Sequence, residues 1–551
     1  MSFGWAEIFP VETIEHLNGL AANHNFPELI HILTILEQDL TTAFKSLHEK
    51  NDQISKDIGE LKRQQKLIQI GENNEKKMEQ LVQTITQRFP EIFSDVANLI
   101  VFVSRVQEEV LQSSHLHGCG LNLSSKIQDI LSKLQQVRSE LISNALIVKK
   151  QPEPVLIKGE PFETEVCLLF TPKVPSAQVR CRIIPEQDVK SALLSNTVHS
   201  QFDRIVHNDD SFNNKERLLD ENDGVLASRH DQEKEQRLFS FKIYEQLDSV
   251  EDNNERPLAE EWDATMTTEH KWVILYEIAE SADLRELIGC DDSVWTISLP
   301  IALIPDSNQL LDAHGAIVWD RAFGSQEEVE WSELSELLRR LFANLIRSNE
   351  RPLERPLNDS DLEYLRNKLN SGTDSCSYTL FAKAEVHSPD GNKYSFWNYF
   401  ISVCKVIRRT LLNYWNRGLI MGFISVEESE CKLRQSTEPA FLLRFSDETP
   451  GSLDFVCSRK SSNGLELETE CIQLKEEKTL ADAVRDSDKL QNIQYFCYKG
   501  CGLRNKQEIL DLDSNKEALI NSPVEKRNGD TQINPVTVID GAIYDKEFQL
   551  E

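Results

Sequence analysis

The stretch Pro439-Ala-Phe-Leu-Leu-Arg-Phe-Ser446 reads as a β-strand with a charge set among apolar residues. Side chains alternate along a strand, so Phe441, Leu443 and Phe445 face one side and Leu442, Arg444 and Ser446 the other. An arginine in an apolar strand is costly to bury without a partner. The hydroxyl of Ser446 lies two residues along on the same face, so guanidinium and hydroxyl can form a bidentate, charge-assisted clamp for a phosphate dianion. The competing reading is an internal ion pair of Arg444 with Glu428 or Asp447. The order of elements favours the clamp. Ser425-Val-Glu-Glu428 fits a capping box at a helix start, strands follow at 452–458 and 464–473, and a second capped helix begins at Thr479.

Working outward, the sequence before this segment is helical. Trp331, Leu334, Leu337, Leu338, Leu341 and Leu345 share one face of a helix over 328–346; further helices are expected at 360–369 and 396–416, the last closed by Gly418. Further upstream the period changes. Phe162, Thr164, Val166, Leu168 and Phe170 alternate with polar residues, and 272–278 and 294–299 do likewise, so a β-sandwich or barrel is expected to end near Pro305. The Asn-, Asp- and Glu-rich stretch 207–237 reads as a long loop within it. From 26 to 148 three apolar stripes recur at helical spacing: Leu29 to Leu47, Met78 to Phe89, and Ile127 to Ile142. Gly71-Glu-Asn-Asn and His117-Gly-Cys-Gly mark turns between them, and Pro90 should break or kink the middle helix. Helices with such stripes bury them against one another in an antiparallel bundle.

Bulk composition narrows the class. A chain of 551 residues exceeds a single core. The 40% hydrophobic and 27% charged residues are ordinary for a globular protein. Neither a secretory leader nor an apolar run long enough for a membrane span is present. The 11 cysteines have no repeating spacing and fit reduced intracellular thiols. A formal charge of −31 argues against indiscriminate nucleic-acid binding, so contact with DNA requires a local basic surface. Residues 149–182 carry six Lys/Arg against four Glu, whereas 201–263 carry eighteen acidic and eight basic side chains. No kinase signature, metal-ligand spacing or other catalytic constellation is visible, and no cofactor is expected.

Two runs, Trp415-Asn-Arg-Gly-Leu-Ile-Met-Gly-Phe-Ile-Ser425 and Phe441-Leu-Leu-Arg-Phe-Ser446, resemble the SH2 domain of the STAT family, the signal transducers and activators of transcription. Val148-Lys-Lys-Gln-Pro-Glu-Pro-Val-Leu-Ile-Lys158 is similar to that family's junction between coiled coil and DNA-binding domain, and Tyr394-Ser-Phe-Trp-Asn-Tyr399 to its linker motif. The resemblance implies a multidomain α+β chain: a coiled-coil helical bundle (1–148), an immunoglobulin-like β-sandwich that binds DNA (149–323), a helical linker (324–418), an SH2 domain (419–513) and a tyrosine-bearing tail (514–551). It implies a short member lacking the family's separate N-terminal domain and most of its activation domain.

By the same resemblance the protein is a transcription factor that is cytoplasmic until a tyrosine kinase or receptor acts on it. It then dimerises by reciprocal docking of phosphotyrosine into SH2 domains, enters the nucleus, binds double-stranded DNA and recruits coactivators. Arg444 and Ser446 would hold the phosphate. Tyr544, 100 residues beyond Arg444, would be the modified tyrosine. Lys158, Lys242 and Asn308 are the candidate DNA contacts. Four departures from the family pattern stand out. Val426 replaces a lysine that touches phosphate, Glu448 stands near a position where a small hydroxyl residue is common and adds repulsion, Asp306 replaces a base-contacting asparagine, and Asp545 follows Tyr544 in place of an apolar residue. Tyr495 and Tyr498 read instead as domain core. The alternative function is an SH2-containing adaptor that reads little DNA of its own.

Overall fold

In the computed structural model the described residues are 19, 26–72, 74–112, 123–157, 160–169, 179–189, 239–246, 268, 270–278, 294–347, 352–369, 374–387, 393–461, 464–474, 479–500 and 502–512. They fall into two compact units, one within 26–66 and 74–305, the other within 67–73 and 306–512.

The first unit opens with helices α1 (Phe26–Gln69, its last turn belonging to the second unit), α2 (Glu75–Gln112) and α3 (Leu123–Ser143). Their stripes are the expected ones: Leu36, Leu40 and Leu47 from α1, Ile85 and Phe89 from α2, and Ile127, Leu134 and Leu141 from α3 are buried in one core. Ion pairs such as Lys126 with Glu37 and Lys77 with Glu60 (both 2.7 Å) link the helices at the surface. Exposed pairs contribute less than about 1 kcal/mol each, so the apolar stripe dominates. Pro90 does not break α2, which runs through it without interruption. A proline inside a helix costs about 3 kcal/mol. On its flanks Phe89, Ile92, Phe93 and Val96 are all buried, and each large apolar side chain returns roughly 1.5–3 kcal/mol. The His117-Gly-Cys-Gly turn lies outside the described residues.

Eight strands follow: β1 (Leu146–Lys150), β2 (Val155–Ile157), β3 (Pro161–Leu168), β4 (Val179–Pro185), β5 (Phe239–Gln246), β6 (Lys271–Ile278), β7 (Trp295–Ile297) and β8 (Ile301–Ile304). They form two sheets, β1-β3-β5 and β2-β8-β6-β4, with β7 also paired to β6. Tyr276, fully buried on β6, hydrogen-bonds to Thr164 of β3 (2.8 Å), whose hydroxyl reaches the carbonyl of Lys150 (2.9 Å), so one polar chain ties the sheets together. The alternations read at 162–168, 272–278 and 294–299 thus correspond to β3, β6 and β7. Phe170 and the acidic stretch 207–237 are outside the described residues.

In the second unit, helix α4 (Leu310–Phe323) was not anticipated from the sequence. It carries Ala313, Gly315 and Ala316 among its large residues, and small residues on a buried face blur an apolar stripe. Residues 328–330, expected as helix, are strand β9 (Glu328–Glu330), paired with β10 (Ser375–Ser377); α5 (Trp331–Ile346) begins directly after it. The alternation Glu-Val-Glu, with only Val329 buried, is a strand pattern that the following helical stripe masks. Helix α6 (Asp359–Lys368) starts with a reciprocal capping box between Asn358 and Asp361. Strands β11 (Glu385–His387) and β12 (Lys393–Ser395) lead into α7 (Phe396–Val406), which passes through a π turn into α8 (Leu412–Asn416). Gly418, at φ +68°, ends it, as its position after the last apolar turn predicts.

Last come α9 (Val426–Arg434), β13 (Ala440–Phe445), β14 (Leu453–Ser461), β15 (Gly464–Ile472), α10 (Leu480–Asp486), β16 (Tyr495–Cys497) and β17 (Leu503–Asn505). The sheet order is β15-β14-β13-β16-β17, which makes β13 the central strand. Phe441, Leu443 and Phe445 join the large core of this unit, while Leu442 packs into a second cluster with Ile424, Leu433 and Val456. Both faces of β13 are covered. Among the described residues no helix is long and apolar enough to cross a membrane.

We predict that Phe89→Ala, which empties a fully buried site in the bundle, destabilises the first unit by about 3–5 kcal/mol. Val101→Ala, on the exposed side of α2, should change stability by less than about 0.5 kcal/mol. Urea unfolding followed by helical circular dichroism measures both.

Candidate anion-binding site around Arg444

Two features fix Arg444. It sits on the central strand opposite Asp454 in the antiparallel register of β13 and β14. On its other side the strand is bridged by Gly422, whose N–H donates to the carbonyl of Leu443 (3.2 Å) and whose carbonyl accepts from the N–H of Phe445 (3.0 Å). Gly422 holds φ at +80°, and a methyl there would lie 2.5 Å from the Trp415 ring. Only glycine fits.

Arg444 is 2% exposed, and each of its three guanidinium nitrogens donates to an internal acceptor. Nε and Nη2 donate to Asp454 Oδ2 (3.1 and 2.8 Å), and Nη1 donates to Asp447 Oδ2 (2.8 Å) and to the carbonyl of Ile424 (3.0 Å). Of the two internal partners weighed from the sequence, Asp447 is present and Glu428 is not. Asp454 had not been considered, although an aspartate in the apolar run Leu453-Asp-Phe-Val-Cys457 is as anomalous as the arginine and marks its cross-strand mate.

The two carboxylates differ in kind. Asp454 is nearly sealed, with 6% of its side chain exposed. Asp447 lies just past the end of β13 with 34% of its side chain exposed. It accepts hydrogen bonds from three separate donors: Arg444 Nη1, Lys368 Nζ (2.8 Å) and the Tyr364 hydroxyl (2.5 Å). Lys368, on the last turn of α6, has 7% of its side chain exposed and rests 4.1 Å from the ring centre of Tyr399. Tyr394 donates to the backbone carbonyl of Asp447. Burial alone would raise the pKa of Asp447, but the Lys368 and Arg444 cations hold it below the ordinary carboxylate value. Burial pushes the Tyr364 hydroxyl well above its usual range, so it stays a proton donor.

A cavity of about 790 Å³ opens beside these groups, lined by Tyr364, Lys368, Tyr394, Ser425 and Asp447 among others. Arg444 does not line it. Asp447 does, as do Glu363, Glu385 and Glu428.

Ser446 is engaged with its own loop. Its oxygen accepts from the backbone N–H of Glu448 (3.2 Å) and of Thr449 (3.4 Å), pinning the loop after β13, and no hydrogen bond joins it to Arg444. Ser425 caps α9 by accepting from the Glu428 N–H (3.1 Å), and the return bond from Glu428 is not made. Of the residues considered for DNA, Lys158 lies outside the described residues. Lys242, on β5, pairs through its backbone with Glu165 of β3. Asn308 is exposed in a short turn capped by Asp306, which accepts from the Asn308 N–H (2.8 Å). Lys149, Lys150 and Arg182 are each ion-paired, to Glu165, Glu163 and Glu277. Tyr544 is outside the described residues. Tyr495, expected in the core, is 36% exposed at the start of β16, whereas Phe496 and Cys497 after it are both buried.

A helical bundle, strands in two sheets, and a helical segment ahead of a five-stranded sheet with a buried cation define a multidomain α+β protein. Residues 320–400 match the family model described as "Signal transducer and activator of transcription, linker domain". Over 459 residues the chain is 28% identical to "Signal transducer and activator of transcription 1" of Caenorhabditis elegans, covering 79% of this chain and 63% of that relative. Against the protein of the same name from Caenorhabditis briggsae it is 27% identical over 461 residues, covering 79% of this chain and 62% of the relative. The chain is thus similar to STAT proteins along about four fifths of its length, and it spans less than two thirds of the length of these curated relatives.

Two predictions follow from the geometry. Gly422→Ala should destabilise the second unit by at least about 1–2 kcal/mol, the cost of a side chain at positive φ, before the clash with Trp415 is added. Thermal unfolding checks it. Because the folded-state pKa of Asp447 is depressed, its contribution is complete above the unfolded value of about 3.9 and is lost as pH falls through the lower folded value. Stability of this unit should therefore drop below about pH 4, and Asp447→Asn should flatten that drop in a series of unfolding curves from pH 7 to pH 2.

Proposed function

We propose that this chain is a non-enzymatic, tyrosine-phosphorylation-activated transcription factor of STAT type. Its bundle is the coiled-coil domain, its two sheets an immunoglobulin-like DNA-binding domain, the segment around the linker match a helical connector, and the unit around β13 an SH2 domain. Phosphorylated Tyr544 is the ligand for the Arg444 site, and exchange of tails between two chains gives a two-fold dimer that enters the nucleus and binds palindromic duplex DNA. The observation that carries this reading is the convergence of three donors, from Arg444, Lys368 and Tyr364, on one anionic group at the edge of a cavity. Such a constellation is built for an anion.

A second reading has its own support. Lys149, Lys150 and Arg182 are neutralised by their own glutamates, and Asp306 is exposed in the turn that holds Asn308. Both features weaken a DNA-facing surface and favour an adaptor that docks phosphotyrosine without reading sequence.

Sedimentation of the chain before and after phosphorylation of Tyr544 tests the dimer, and Arg444→Lys is the informative variant. It keeps a cation beside Asp454 but loses the forked geometry, whereas Arg444→Ala would strand a buried carboxylate at about 3–5 kcal/mol and confound binding with unfolding. The expected result is a phosphorylation-dependent dimer in the wild type that is lost in Arg444→Lys. A folded variant that dimerises normally would remove Arg444 from the docking site. Selection of the phosphorylated dimer on a randomised duplex pool separates the two readings. An enriched palindrome with strongly salt-dependent affinity supports the transcription factor; no enriched sequence supports the adaptor.

A further inference from the structure

We infer that Asp447 is an internal stand-in for phosphate, and that Lys368 supplies the second cation of the phosphotyrosine site, taking over from the lysine that Val426 replaces. This rests on the phosphotyrosine reading above and specifies how the same site would work.

Counting the buried charges leads there. Arg444 and Lys368 supply two cations, Asp447 and Asp454 two anions, and the cluster as it stands is neutral. A dianion entering it without displacing anything would meet no net attraction, and the glutamates on the cavity wall would repel it. One of the two carboxylates has to leave. Asp454 is locked in the sheet register and sealed from solvent, so it stays. Asp447 is in a loop, faces the cavity and is one-third exposed. The loop backbone is held by Ser446 and by the Tyr394 hydroxyl, so a rotation of the Asp447 side chain alone clears the way. A phosphate arriving in its place inherits Arg444 Nη1, Lys368 Nζ and the Tyr364 hydroxyl, and the second negative charge of the dianion is the gain over the carboxylate that left. Val426, by contrast, is 41% exposed and offers nothing to an anion.

Lys368 lies on α6, 76 residues before Arg444 in the sequence. The docking site is therefore assembled from α6 together with the sheet, and the sheet domain alone would carry only one of its two cations.

The test is fluorescence anisotropy of the full chain with a labelled peptide of residues 538–551 phosphorylated on Tyr544, and with the same peptide unphosphorylated as control. Removing the internal competitor by Asp447→Ala should tighten phosphopeptide binding about tenfold, because a site open only part of the time binds in proportion to that fraction. Lys368→Gln should weaken it about tenfold or more, the usual weight of a charge-assisted hydrogen bond, and Lys368→Arg should restore most of the loss. If Asp447→Ala does not fold, the near-isosteric Asp447→Asn serves in its place, with unfolding curves recorded for every variant. Binding that appears only when Asp447 is replaced also supports the inference. Wild-type binding that depends on the phosphate and on Arg444, but is indifferent to both Asp447 and Lys368, overturns the inference and leaves the phosphotyrosine reading standing. Absence of phosphate-dependent binding in every form overturns both.

Discussion

A cation in the middle strand of a covered sheet has to be neutralised, and much of the second unit is arranged around that requirement. Arg444 spends two of its nitrogens on Asp454 across the strand pair, and this half of the arrangement is structural. Replacing such a pair by apolar residues of similar volume is often harmless in proteins, while removing one member is not. Its retention in a strand otherwise filled by Phe441, Leu442, Leu443 and Phe445 therefore needs a reason other than stability. The other half supplies one. Nη1 points towards the loop, and the group it meets there, Asp447, is shared with Lys368 and Tyr364 at the wall of a cavity.

This division of labour connects packing to control. Gly422, Trp415 and the bridge to β13 set the height of the arginine within the sheet; Ser446 and Tyr394 set the loop that carries Asp447. The second cation, Lys368, arrives from α6 and is steadied over the Tyr399 ring. A site drawn from the linker segment and the sheet together responds to any change in how those two parts of the unit pack.

Much of this was legible in the chain. The helical stripes of the bundle, the alternation in β3 and β6, the caps at Ser425 and Thr479, and the isolated arginine all follow from short-range periodicity and turn chemistry. What the sequence hid was of another kind. Lys368 and Tyr364 meet Asp447 across 79 and 83 residues, and no local pattern reports a contact at that separation. Asp454 was readable in principle, since the turn between β13 and β14 fixes the register that brings it opposite Arg444, but its charge was lost among many surface acids. Pro90 does not end α2 because propensity is a local quantity, and the buried aromatics on either side outweigh it. Tyr495 misled because its neighbours Phe496 and Cys497 are buried while the strand's first residue is not.

The most direct measurement is a structure of the full chain bound to its own phosphorylated tail peptide. The account requires the phosphate oxygens to lie about 3 Å from Arg444 Nη1 and Lys368 Nζ, with Asp454 unmoved and the Asp447 carboxylate turned out to solvent. A complex in which Asp447 still holds Arg444 and Lys368, and the phosphate is bound elsewhere, would contradict it.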